Sequence, residues 1–158
     1  MNELRSAKNI FKTINLVYKA FFLGMIVFLV TASLLVSNAG GIIEDDPLMA
    51  QTLKIIAIGM AVVLIPVAYS IPQKLIRKIS KELSLEEKLT RYQSALIIRF
   101  ALTEGLGILA TIFFLLTADN DFLMLFAIIL LFYIISRPTP FKAATDLELS
   151  EIEKHELM

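Results

Sequence analysis

The chain has no cysteine and only one histidine among its 158 residues. The lack of cysteine excludes disulfides and cysteine-based zinc or iron–sulfur sites. The single histidine excludes a His-rich metal site within one chain, and His155 with Glu151 four residues before it would supply only two of the ligands that a metal needs. The sequence also lacks a phosphate-binding glycine loop, a nucleophile with its base and a zinc-protease motif. We therefore predict no metal and no cofactor, and nothing indicates an enzyme.

Net charge is absent as well, because fifteen basic residues balance fifteen acidic ones. The overall charge therefore indicates no partner, and nothing points to nucleic acid. Hydrophobic residues are abundant instead, at 57% of the chain with a mean hydropathy of +0.74. Long apolar stretches separated by short charged segments are typical of a membrane protein, so the predicted environment is the lipid bilayer.

Four apolar stretches are candidates for membrane spans, namely residues 20–36, 55–71, 95–116 and 122–135. A helix needs about 20 apolar residues to cross the hydrocarbon, with roughly 17 as the lower end. The first three qualify. The fourth is short, but Ser136 and the acidic turn 119–121 suit the interface, so we expect it to cross rather than to form a re-entrant hairpin. The predicted fold is all-α, an integral membrane four-helix bundle.

The distribution of charged residues predicts the orientation of these spans. Basic residues gather before span one, between spans two and three, and after span four: Arg5, Lys8, Lys12, Lys19, Lys74, Arg77, Lys78, Lys81, Lys88, Arg91, Arg137 and Lys142. The other two loops carry Glu44, Asp45, Asp46, Asp119 and Asp121, with Lys54 as their only basic residue. The positive-inside rule then places both termini and the middle loop in the cytoplasm, as in a bacterial inner membrane protein.

Residues 1–19 form a basic amphipathic segment. Its apolar side chains recur every three or four residues, at Leu4, Ala7, Phe11, Ile14 and Tyr18. Such a helix either lies on the anionic inner leaflet or extends span one into the cytoplasm. The pattern leaves both interpretations open.

Residues 74–91 are predicted to be a basic, helical cytoplasmic loop. Span two is expected to continue through Gln73–Leu83, and the pair Ser84 and Glu87 forms a capping-box pattern that starts a new helix at Leu85.

Residues 141–158 form an acidic cytoplasmic tail. Thr145 and Glu148 predict a final helix over Asp146–Leu157. This tail either folds back on the basic loop, binds a partner or stays solvated, and a solvated tail is the default.

Proline and glycine interrupt the apolar pattern at two places. Pro66 lies inside span two and should kink it by removing a backbone donor. Packing explains this proline better than function does, since membrane helices tolerate proline readily. Gly40–Gly41 is predicted to be a simple loop.

Glu104 is the only acidic residue within the four spans. Inserting a charged carboxylate there costs on the order of 2.5–3.5 kcal/mol, so something should compensate. At helical spacing Glu104 shares a face with Gln93, Gly107 and Thr111, which favours a position towards the bundle. Buried without a cation, the carboxyl is expected to be neutral at pH 7.

Arg99 is the candidate charge partner of Glu104. The five-residue spacing puts the two about 140° apart around the helix, so they do not pair naturally on one face. Arg99 has three open roles: it extends to the headgroups, pairs with Glu104 of a neighbouring subunit, or binds a carbonyl freed by Pro66.

Two functional hypotheses follow. In the first, Glu104 binds protons or monovalent cations in a homo- or hetero-oligomeric membrane protein, with Gln93 and Thr111 on the same face. In the second, Glu104 is a structural hydrogen-bonding group, and an accessory or scaffold protein binds partners through its cytoplasmic loop and tail. The residues leave both open, with the structural role of Glu104 slightly favoured.

The segment Ala95–Leu116, ALIIRFALTEGLGILATIFFLL, resembles the second helix of the c-subunit of rotary ATP synthases. In that family a central carboxylate carries the translocated proton or sodium ion, and a cytoplasmic loop joins two membrane helices. The resemblance implies that Glu104 is the ion-carrying position and Thr103 an accessory ligand. The chain departs from the family in having only Gly59 in span two and two further spans.

Overall fold

The computed structural model describes residues 2–43 and 46–157, with side chains from residue 7 onwards. Two acidic residues used to predict the orientation, Glu44 and Asp45, lie outside the described residues. The side chains of Leu4 and Arg5 also lie outside them. The described residues form six helices and no strand.

The helices follow one another through short connections. They are α1 (Asn2–Ala39), α2 (Pro47–Arg77), α3 (Leu85–Thr117), α4 (Asp121–Ile135), α5 (Pro140–Asp146) and α6 (Glu151–Leu157). Helices α1, α2 and α3 are each long and apolar enough to cross a membrane. Helix α4 has 15 residues, about 22 Å, against a hydrocarbon thickness of about 30 Å. It joins α5 at an angle of 78°, and a fourth span requires that this bent pair count as one.

Local sequence explains where three of these helices begin. Helix α2 starts with Pro47 in its first turn, and the Asp46 carboxylate accepts a hydrogen bond from the Met49 N–H at 3.0 Å. Helix α3 has the predicted capping box, in which Ser84 and Glu87 each satisfy the other's backbone N–H. Helix α5 begins with Pro140 after Thr139, whose hydroxyl accepts from the Lys142 N–H.

Helix α3 is the centre of the bundle and packs against α1, α2 and α4. In its most apolar window 39% of the residues are buried, compared with 11% in α1 and 22% in α2. The remaining apolar side chains of α1, α2 and α4 face outward, including Leu23, Val62 and Leu131. Lipid tails are the solvent that suits such a surface. The chain is thus an all-helical bundle with three or four helices suited to crossing a membrane.

The N-terminal segment is part of α1, which runs without a break from Asn2 to Ala39. The predicted apolar stripe packs inward: Ala7, Phe11, Ile14 and Tyr18 are all buried. They share a core with Ala143, Ala144, Leu147, Leu149 and Leu157 of the tail. This geometry matches the extension of span one, because the stripe is covered by protein and is not free to lie on a leaflet.

The connection between α2 and α3 is less helical than predicted. Helix α2 passes through Pro66 and Pro72 as one helix but ends at Arg77, so the predicted continuation to Leu83 is wrong. The Lys78 N–H closes the helix by donating to the carbonyls of Leu75 and Ile76. Residues 78–84 then form turns up to the capping box.

The tail also differs from the prediction, because it forms two short helices instead of one over Asp146–Leu157. The Thr145 hydroxyl donates to the Phe141 carbonyl at 3.0 Å inside α5, and so does not cap a following helix. Glu148 adopts a left-handed backbone conformation with φ 49°, which interrupts the chain before α6.

The bundle has two ends. The terminal end comprises residues 2–19, 73–95 and 136–157, and the loop end comprises residues 39–43, 46–54 and 117–121.

Candidate functional site

Glu104 lies halfway along α3 and is half-buried where α3 meets α1. Its neighbour on α1 is Gly24: a Cβ atom built on that glycine would lie 2.9 Å from the Glu104 Oε1. Glycine therefore leaves the space that the carboxyl occupies. No hydrogen bond or ion pair joins Glu104 to another side chain in the described part of the chain.

An aromatic cluster lies on the terminal side of this carboxyl. Tyr18 and Tyr133 stack with ring centroids 4.8 Å apart, and Phe100 meets the edge of Tyr18 at 5.4 Å. The Tyr133 hydroxyl donates to the Tyr18 carbonyl at 2.7 Å. Tyr133 lies close enough to Glu104 for an electrostatic interaction between the two groups.

The other predicted ion-binding residues do not gather around Glu104. The Thr103 hydroxyl donates to the Arg99 carbonyl at 2.9 Å, and the Thr111 hydroxyl donates to the Gly107 carbonyl at 2.9 Å. Gln93 is eleven residues before Glu104, about 16 Å along the helix axis. The structure therefore assembles one carboxyl with Gly24 and no ring of oxygen ligands from this set.

Arg99 belongs to a different site from Glu104, and the described residues contain no ion pair between them. Its side chain is only 2% exposed. The guanidinium carbon lies 4.8 Å from the centroid of the Tyr69 ring on α2, a cation–π contact. Its Nη2 donates weakly to the Gln73 Oε1 at 3.5 Å, while Nε and Nη1 are buried with no hydrogen-bond partner.

A cavity of about 320 Å³ opens beside this guanidinium between α2, α3 and α4. Its wall consists of Ile65, Pro66, Ala68, Tyr69, Arg99, Thr103, Phe132 and Ser136. Thr103 thus lines the Arg99 cavity. Ser136 follows the last residue of α4, so the cavity lies where that helix ends, next to the terminal end of the bundle.

At the terminal end the acidic tail folds back on the connection between α2 and α3. Lys88 Nζ and Glu153 Oε1 are 2.6 Å apart in an ion pair that is mostly buried. The Tyr92 hydroxyl donates to Asp146 at 3.1 Å, and Lys81 pairs with Glu148 at the surface. Of the alternatives open from the sequence, the folded-back tail is the one that the structure adopts.

These contacts shift the titration of the tail carboxylates. Partial burial alone raises the pKa of Glu153, but hydrogen bonds from Lys88 and from the Ser150 backbone and hydroxyl outweigh it and leave that pKa below its ordinary value. The hydrogen bond from Lys81 likewise lowers the pKa of Glu148.

At the loop end, Lys54 lies between two acidic residues. It is the only basic residue that the sequence places in the two loops on this side. Lys54 Nζ lies 2.6 Å from a carboxylate oxygen of Asp119 and 2.6 Å from one of Asp121. The hydrogen bond from Lys54 lowers the pKa of Asp119. Because Asp121 is 62% exposed, this triad is a surface feature of modest stabilising value.

Sequence reasoning missed Tyr69, Gln73 and Asp146 as partners of charged or polar groups. Tyr69 and Gln73 are four residues apart on α2, about one helical turn. This spacing alone predicts that they lie on the same face of the helix. Nothing local in the sequence connects that face to Arg99, because the contact depends on how α2 packs against α3.

Comparison of the chain with models of protein families, with characterised proteins and with solved structures finds no match. The likeness of the segment 95–116 to the c-subunit of rotary ATP synthases stays a prediction.

Proposed function

We propose that this chain is a multi-pass membrane protein that binds protons through Glu104. The supporting observation is a lone carboxyl halfway along the central helix, packed against Gly24 with no basic side chain paired to it among the described residues. A charged carboxylate in that setting is costly, and uptake of one proton removes the charge without further ligands.

A proton suits this geometry better than a sodium ion does. Cations of that kind need several oxygen ligands in one shell, but Thr103 lines the Arg99 cavity and Thr111 is seven residues from Glu104, about 10 Å along the helix axis. A proton needs only the carboxyl. The proposal therefore narrows the sequence-based choice between protons and monovalent cations to protons.

The test is the pH dependence of Glu104 labelling by a hydrophobic carbodiimide in membranes, since this reagent reacts with protonated carboxyls. We expect labelling that falls as pH rises and that is absent in Glu104→Gln. Labelling should be unchanged by sodium at constant pH. A carboxyl that is inert at every pH would contradict the proposal. Protection by sodium would mean that Glu104 binds a cation and not a proton.

A matched pair of glycine variants tests the geometry itself. Gly24→Ala places a methyl group 2.9 Å from the carboxyl oxygen and should shift the pH midpoint of labelling. Gly59→Ala adds the same methyl where no atom lies within 4 Å and should leave the midpoint unchanged. If the two variants had the same pH midpoint of labelling, the space at Gly24 would have no influence on Glu104.

Three further features belong to the same proposal. The sequence-based expectation of a homo- or hetero-oligomer is the first of them. Because basic residues are concentrated at the terminal end, that end would face the cytoplasm. A bacterial inner membrane is the compartment that suits this orientation.

A second candidate is an accessory role for the terminal end. Its support is the folded tail, held by the Lys88–Glu153 ion pair, beside exposed basic residues at Lys74, Arg77 and Arg91. Photo-crosslinking from the exposed position 75 in membranes should then give a discrete product that disappears after neutralisation of the three basic residues. A carbodiimide-reactive Glu104 with no crosslinked product would favour the proton proposal.

A further inference from the structure

The Arg99 cavity contains a buried cation whose hydrogen-bonding capacity is unused. Arginine has five N–H donors and cannot lose its charge in a protein. Here Nε and Nη1 have no partner, and the only hydrogen bond from Nη2 is long, at 3.5 Å. Burying a charge in this state is costly unless a group of opposite charge supplies the missing contacts.

No carboxylate of the described chain fills this role. The described ion pairs do not include Arg99. Asp146, an acid at this end, accepts the Tyr92 hydroxyl at 3.1 Å, interacts with Lys142 and makes no described ion pair with the guanidinium. Lys142 lies close enough to Arg99 for the two positive charges to repel each other. The site therefore has excess positive charge.

The shape of the cavity indicates what kind of group enters it. Its volume of about 320 Å³ is the volume that roughly ten water molecules occupy in liquid water. Ile65, Ala68 and Phe132 make most of the wall apolar, whereas its polar residues are Tyr69, Arg99, Thr103 and Ser136. Tyr69 covers one face of the guanidinium, and the N–H groups of Nε and Nη1, on opposite sides of it, have no partner among the described residues.

We propose that the Arg99 cavity binds an oxyanion of the phosphate type, through two N–H groups of the guanidinium. An N–H of Nη1 and the second N–H of Nη2 are adjacent donors that match two oxygens of a phosphate, and such bonds are about twice as strong as neutral ones. The apolar wall and the position at the end of α4 suit the phosphate of a membrane lipid, and a free phosphate has the same recognising chemistry. This site is separate from Glu104 and independent of its proton binding.

The experiment uses the full-length protein in a neutral detergent and measures the midpoint of thermal unfolding during titration with three probes. These are phosphatidylglycerol, a diacylglycerol with the same chains, and inorganic phosphate. We expect phosphatidylglycerol to raise the midpoint and the diacylglycerol to leave it unchanged. Protection by inorganic phosphate as well would identify a soluble oxyanion as a second source of the ligand.

Arg99→Gln removes the guanidinium and should weaken the apparent affinity for phosphatidylglycerol at least about tenfold, the loss expected from a charged hydrogen bond. Arg91→Gln is the matched control, because Arg91 lies on the same helix but is exposed and outside the cavity wall. Its affinity should stay within about twofold of the wild type.

A second variant protects the test against misfolding of Arg99→Gln. Ala68→Leu keeps the guanidinium but fills part of the cavity, and it should also weaken phosphatidylglycerol binding. The proposal is overturned if neither oxyanion shifts the midpoint, if the diacylglycerol protects equally, or if a folded Ala68→Leu or Arg99→Gln protein binds like the wild type.

Discussion

Gly41 packs directly against the backbone at the end of α3. A Cβ atom on this residue would lie 2.7 Å from the Ala118 nitrogen and 2.7 Å from the Thr117 carbonyl carbon. The neighbouring Ile43 N–H donates to the Leu116 carbonyl at 2.8 Å, which holds the two chain segments together. The pair Gly40–Gly41 is therefore a packing contact as well as the loop that the sequence predicted.

We expect Gly41→Ala to destabilise the bundle on the order of 1–3 kcal/mol, because backbone atoms cannot move aside cheaply. The measurement is the midpoint of thermal unfolding in detergent. Gly59→Ala is the control, since its added methyl meets nothing within 4 Å. A Gly41→Ala protein as stable as the wild type would show that the close approach is not required.

Ala118 ends α3 in a left-handed conformation with φ 54°, which suits glycine better than alanine. We predict that Ala118→Gly stabilises the protein by roughly 0.5–1 kcal/mol, as relief of backbone strain exceeds the added freedom of the unfolded chain. The same substitution at the exposed helical residue Ala101 should destabilise by about 1 kcal/mol. Thermal unfolding of the two variants should therefore shift in opposite directions.

Helix α6 is held in place by Leu157, which is buried in the core shared with α1, and by the ion pair between Lys88 and Glu153. The side chain of Lys88 is 6% exposed and that of Glu153 is 19% exposed, so removing either partner leaves a poorly solvated charge. Glu153→Gln should cost about 1–3 kcal/mol and release the tail. Hydrogen exchange of residues 140–157 measures this release. Replacement of the exposed Glu151 by Gln is the control, because its pair with Lys154 lies at the surface.

The same contact predicts a dependence of the tail on pH. The pKa of Glu153 is lower in the folded chain than in the unfolded one, so the ion pair stabilises the fold above the unfolded value. This contribution is lost as pH falls through the folded pKa, that is, below the ordinary range of a glutamate. We expect the protection factors of residues 140–157, that is, exchange corrected for its intrinsic pH dependence, to fall in acid in the wild type and to be less pH-dependent in Glu153→Gln. An unchanged profile would contradict the assignment.

The orientation of the whole bundle is a prediction that the absence of cysteine makes simple to test. Leu48 at the loop end is 76% exposed and Ile152 at the terminal end is 75% exposed, so single cysteines at these positions are equally reachable. A maleimide that cannot cross membranes, added from outside intact cells, should label Leu48→Cys and spare Ile152→Cys until the membrane is permeabilised. The reverse pattern would invert the orientation and the assignment of the terminal end to the cytoplasm.

Periodic and compositional signals are local, and they determined the helical class, the apolar segments and the start of α3. The stretch predicted at 122–135 corresponds to α4, and the pair Ser84 and Glu87 caps α3 as expected. These features depend on hydropathy and on hydrogen bonds between residues three apart, so neighbours in sequence suffice to specify them.

Packing between helices decided the rest. Thr145–Glu148 and Ser150–Glu153 are equivalent capping patterns, and only the second forms, because Thr145 lies inside α5 with its hydroxyl bonded to the Phe141 carbonyl and Glu148 has a left-handed backbone. Arg99 reaches Tyr69 and an open cavity, and Glu104 reaches Gly24, since α2 and α1 pack on different faces of α3. A side chain's periodicity shows the face it occupies, but only the neighbouring helix determines which atoms that face meets.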